Sequence, residues 1–211
     1  MNIYKLKEAE TIFFMRYPGG FENPEMIEIG KKHKMDKMIQ SAHAFFAVEQ
    51  FEDVEQIAEH ISKIVNQSSM VSLFEKPKFR DAVKAMLFED KEMLVIGLRE
   101  FLHGDEEKGF NLYLKVLLKY KVAKWPLITV CPCYYRPMVD LLIKPTTVKN
   151  ILSNFEIEGL IYHSTPSYDF YKSYRELINS MKLKVDPSLA PNNAAFSGFL
   201  MTVMEDHSNT Y

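Results

Sequence analysis

Across most of the chain, apolar side chains recur every three or four residues, and that spacing commits the backbone to helices. Met35, Met38, Ile39, Ala42, Phe45 and Phe46 fall on one helical face. Val54, Ile57, Ala58, Ile61, Ile64 and Val65 make a second stripe, and Phe79, Ala82, Val83, Met86 and Leu87 a third. Residues 91–102 are apolar on most sides, the pattern of a central helix. Phe110, Tyr113, Leu114, Leu117 and Leu118 follow, with Asp105 placed to favour the start of that helix.

The period breaks once. Pro126, Pro132, Pro137 and Pro145 interrupt two apolar runs, Leu127-Ile128-Thr129-Val130 and Met138-Val139-Asp140-Leu141-Leu142-Ile143. Proline removes a backbone donor and crowds the preceding turn, so a continuous helix is not expected there. The two runs instead predict extended segments or a hairpin, with Leu160-Ile161-Tyr162 as a third short strand. Helical spacing then resumes. Thr146 or Thr147, Ser167 and Asn192 stand where they can cap helices carrying Ile151, Tyr171 and Phe199 in their apolar stripes. The fold expected is mostly α, a compact multi-helix single domain over 1–211. It has a small β hairpin-like element near residues 126–143 and a soft sub-domain boundary near 121–126. Trp125 is expected to pack across that boundary.

Charge narrows the function. The 211 residues carry 26 basic and 28 acidic side chains, a formal net charge of −2. That balance lacks the basic excess of a general nucleic-acid binder. The N-terminal residues do not form a secretory signal, no run reaches the ~20 apolar residues of a membrane span, and no lipidation motif ends the chain. The only cysteines, Cys131 and Cys133, are one residue apart and poorly placed for a disulfide, which suits a reducing cytoplasm.

Motifs with their own chemistry are scarce. Tyr17-Pro18-Gly19-Gly20 has the composition of a type II turn and lacks the strand, helix start and Lys-Ser/Thr ending of a phosphate loop. Cys131-Pro132-Cys133 reads as two buried thiols rather than a metal or redox pair. The histidines, His33 and His43 among them, read as packing or solvated residues. No metal site and no cofactor is expected. Glu52-Asp53-x-Glu55 and Glu106-Glu107 read as solvated helix faces, as does the local basic patch of Lys115, Lys119, Lys121 and Lys124.

The strongest constellation is Arg136, Lys144, Tyr162, Tyr168, Tyr171 and Arg175. Tyr168 and Arg175 share one side of a helix, and the proline-rich stretch supplies Arg136 and Lys144. Cationic groups beside aromatic faces suit an anionic or planar ligand, so Arg136, Lys144, Tyr168 and Arg175 are the candidate ligand-binding residues. Against this stands an amphipathic helix whose tyrosines bury their rings and keep their hydroxyls wet.

From Lys124-Trp125-Pro126 through Arg136-Pro137, Lys144-Pro145-Thr146, Tyr162, Pro166-Ser167 and Tyr171 to Phe199, the residue order resembles an uncharacterised bacterial protein family of unknown function. The resemblance covers the C-terminal part only. It implies a bacterial, cytoplasmic protein and no catalytic residue.

The function expected is a non-catalytic binding module for a small anionic ligand or a protein partner; a homodimer is compatible with the sequence. Double substitution of Arg136 and Arg175 by alanine should then abolish binding and leave the melting temperature nearly unchanged. Two alternatives stand beside it. One is an enzyme with a dispersed active site in the C-terminal half. The other is a DNA-binding regulator using 144–162, where the run from Lys144 to Ile161 resembles a recognition helix entering a wing.

Overall fold

A computed structural model describes residues 1–207, with side chains through Met204. Eleven α-helices are described: α1 (Ile3–Arg16), α2 (Pro24–His33), α3 (Met35–Phe45), α4 (Val54–Gln67), α5 (Glu75–Ala85), α6 (Phe88–His103), α7 (Glu106–Lys119), α8 (Trp125–Tyr135), α9 (Pro145–Asn154), α10 (Tyr168–Lys182) and α11 (Asn193–His207). Short 3-10 turns lie at Gly20–Glu22, Val48–Glu52 and Pro187–Leu189. Buried apolar residues from Leu6 to Met204 form one continuous cluster.

The helices start where local chemistry favours it. Asp105 accepts the Lys108 N–H at the start of α7, and Asn192 accepts the Ala195 N–H at the start of α11. Neither Thr146 nor Ser167 caps as expected: α9 begins on Pro145, and Ser167 holds its position without a side-chain bond. The Tyr17–Gly20 turn closes with Gly20 N–H on Tyr17 O at 2.8 Å. Gly19 sits at φ 85°, ψ 4°, the third-position geometry of a type II turn.

Helices α6 and α7 pack most tightly. A Cβ added at Gly97 would stand 2.7 Å from Tyr113 N, and one at Gly109 would strike the Phe101 backbone. The glycines let the two backbones touch.

The expected β element is absent: among the described residues there is no strand. Trp125–Tyr135 is a helix, and Trp125 to Tyr134 are all buried. A run buried on every side has no period to separate helix from strand. Its prolines are tolerated by position. Pro126 lies in the first turn, where N–H groups have no helical partner, and Pro132 lies near the end. The helix continues past Pro132, whose carbonyl accepts the Arg136 N–H at 2.8 Å. This helix, more than α6, is the buried axis of the fold, packing against α3, α4, α6 and α7.

Residues 140–144 form neither helix nor strand, and side chains supply bonds to their backbone. Thr129 Oγ1 accepts the Ile143 N–H at 3.0 Å while donating to Trp125 O. Asn193 Nδ2 donates to Val139 O and Asp140 O. Leu141 and Ile143 are fully buried in the core, while Leu142 and Lys144 line a cleft. Leu160-Ile161-Tyr162 is irregular. Trp125 is 1% exposed and donates its indole N–H to His163 O at 2.9 Å, tying the start of α8 to that stretch.

Candidate functional site

Three of the four candidate residues converge. Arg136 ends α8, and Tyr168 and Arg175 lie seven apart on α10. They meet around two carboxylates, Glu106, read from sequence as solvated, and Asp140, which sequence reasoning gave no role. Arg175 Nη1 and Nη2 donate to Glu106 at 2.5 and 2.6 Å, and Nη1 also donates to Asp140 at 2.8 Å. Arg136 Nη2 donates to Glu106 at 2.9 Å and its Nε to Asp140 at 2.5 Å. Tyr168 and Tyr171 hydroxyls donate to Glu106 and Asp140 at 2.9 and 2.7 Å. The Arg175 guanidinium also lies 5.0 Å from the Tyr171 ring centre.

Two arginines against two carboxylates balance to zero charge. Arg136 Nη2 additionally reaches Phe101 O, one of the carbonyls that the end of α6 leaves without a helical partner. Asp140 is 0% exposed and Glu106 21%, so Glu106 is not the solvated residue its acidic neighbour suggested. Burial works against the Glu106 charge, yet hydrogen bonds from Arg175 and Tyr168 outweigh it and hold its pKa at about 2. Burial and then the Glu106 carboxylate push Tyr168 up to about 12. The geometry is that of a closed structural joint between the α6–α7 turn, α8 and α10. Its donors are consumed internally, and an incoming anion would compete with two bound carboxylates.

Lys144 lies elsewhere. It precedes α9 and faces a cleft of about 510 Å³ that none of the other three lines. Met26, Ile29 and His33 of α2 form one wall, with Met35 and Met70 beside them. Leu142 and Lys144 form another. The third is a stripe of α11, Ala194, Ala195, Gly198, Met201 and Thr202, whose small residues leave the space while Phe196, Phe199 and Leu200 face the core. Four methionines make this lining apolar and adaptable.

Among the described lining residues, His33 and Lys144 are the only titratable groups, and none is Asp or Glu. Lys144 makes no ion pair with a described residue. Burial lowers its pKa, opposed weakly by Cys133. Partial burial, then the charges of Lys144 and Lys32, lower the pKa of His33, whose Nδ1 lies 2.9 Å from Ser69 Oγ. The cleft therefore presents one lysine, Lys144, in a mostly apolar wall.

Sequence reasoning read His33 as a packing or solvated residue and gave it no cavity. The readable signal was the α11 spacing of Ala194, Ala195, Gly198 and Thr202, a small-residue face opposite a bulky one.

The remaining expectations resolve locally. Cys131 and Cys133 are buried, free thiols, and burial pushes Cys133 up to about 12. Lys119 pairs with Asp90 at 2.7 Å. Lys149 of α9 lies 5.5 Å from the Tyr162 ring centre. Residues 140–144 entering α9 are irregular, and among the described residues no strand follows α9 to form a wing. Among the described residues, no group of three or more His, Cys, Asp or Glu could hold a metal, and no helix is long and apolar enough to cross a membrane. No family model, curated protein or solved structure matches the chain. The resemblance read in the C-terminal part accordingly assigns no role to any residue.

Proposed function

We propose that this chain is a non-catalytic binding protein for a small organic anion with an apolar body, held in the Lys144 cleft. One observation carries the proposal: a cleft of about 510 Å³ in which Lys144 is the sole cation and no described lining residue is acidic. That volume lies within the common range for small-molecule sites, roughly 300–1,000 Å³. A carboxylate at Lys144 would supply the ion pair that the lysine lacks, and the methionines would cover an alkyl or aryl body. The candidate set of Arg136, Tyr168 and Arg175 serves this function indirectly, by holding Asp140 four residues before Lys144.

Calorimetric titration with decanoate tests it. The wild-type chain should bind one equivalent, decanol should bind more weakly, and Lys144→Met should weaken decanoate by about tenfold, equivalent to ~1.4 kcal/mol. Lys144→Arg should retain most of the affinity. Absence of saturable binding, or equal binding to wild type and Lys144→Met, would refute the proposal.

A further inference from the structure

The properties that suit Lys144 to an anion also make it a nucleophile. An amine attacks carbonyl carbon only when it has shed its proton, and a carboxylate neighbour would hold that proton in place. None is present on the described cleft wall. Lys144 is half-buried, and the apolar Met26, Met35, Leu142 and Met201 of the same cleft lining disfavour its charged form further. The other ionisable group on the wall, His33, sits close enough for the lysine charge to lower its pKa, so the pair disfavours double protonation. Cys133 is the nearest alternative nucleophile, but it lies inside α8, fully buried and outside the cleft lining.

We propose that Lys144 forms a reversible imine with apolar aldehydes that enter this cleft. The inference rests on the same cleft as the proposed anion binding and extends its ligand class to carbonyl compounds. The neutral Nζ adds to the aldehyde carbon, forming the C–N bond as the carbonyl π pair moves to oxygen, which takes up a proton. The resulting carbinolamine loses water as the nitrogen lone pair forms C=N, and the remaining nitrogen proton leaves to solvent. One amine and one aldehyde give one imine and one water, with no oxidant or reductant consumed. Apolar walls favour this outcome by limiting the water that reverses it.

Reductive trapping reads it directly. The full chain is incubated with decanal near neutral pH and treated with cyanoborohydride, which delivers hydride to the imine carbon and makes the adduct permanent. Intact mass followed by peptide mapping should find one dominant decyl adduct on Lys144, formed at least about tenfold faster than on any exposed lysine. Lys144→Arg keeps the cation and removes the nucleophile. It should lose the adduct, and excess decanoate should protect the wild-type lysine.

Adducts spread evenly over surface lysines, or undiminished in Lys144→Arg, would overturn the imine. If decanoate binds and Lys144 is not trapped, the imine fails and anion binding survives. If Lys144 is trapped and decanoate does not bind, the imine stands and anion binding fails.

Discussion

The residue whose environment departs most from its sequence context is Glu106. Beside Glu107, at the start of α7, it has the pattern of a solvated acidic turn. Its partners come from far along the chain, Arg136 and Arg175, and no local spacing could reveal them. The arginines and tyrosines were legible as a cluster because they share a helix or flank a proline run; the carboxylates that neutralise them were not. The energetic consequence has a definite sign. With its pKa lowered from 4.5 to about 2, Glu106 stabilises the fold fully above its unfolded pKa. That stability is lost as pH falls from about 4.5 towards 2, and amounts to roughly 3 kcal/mol at ~1.4 kcal/mol per unit. Denaturant melts at successive pH values should show this acid limb. Arg175→Ala should cost about 3–5 kcal/mol at neutral pH, because it leaves Arg136 alone to balance two carboxylates, Asp140 fully and Glu106 largely buried, and should flatten the limb. A variant as stable as wild type would instead return Arg175 to the role of a free ligand-binding cation.

At the scale of elements, amphipathic helices were legible and the fully buried one was not. Helices α3, α4 and α7 each present one apolar face, and the stripes read from sequence lie within their bounds except for Phe46, one residue past the end of α3. Helix α8 has no polar face, so its period vanished and its prolines dominated the expectation. The hairpin expected from the apolar runs does not form: residues 140–144 are irregular, and their hydrogen-bonding partners, Thr129 and Asn193, lie too far along the chain for local spacing to reveal. The Thr129 bond is testable at one atom. Thr129→Val keeps the shape and removes the acceptor for the Ile143 N–H, leaving a buried donor unpaired, at a cost of about 1–3 kcal/mol. Urea denaturation should show the loss, together with faster hydrogen exchange at Ile143. Unchanged exchange there would mean that Thr129 only fills space.

For the whole molecule, segment 140–144 joins the two polar features of the C-terminal half. Asp140 enters the arginine joint at one end, and Lys144 enters the cleft at the other. The cleft itself depends on α2 and α11, which lie at opposite ends of the sequence, so no window along the chain contains it. The α6–α7 contact is the reverse case, since only Gly104 and Asp105 separate helices whose backbones touch at Gly97 and Gly109. Short loops close at little entropic cost, and such contacts form early. This pair should therefore nucleate folding, with α11 docking late. Stopped-flow kinetics of Phe110→Leu should show slower refolding carrying most of the lost stability, whereas Phe199→Leu should chiefly hasten unfolding. Reversed behaviour would exclude the pair as nucleus. If it holds, the cleft is among the last parts of the molecule to assemble, and a nascent chain gains its proposed ligand site only after the rest of its structure exists.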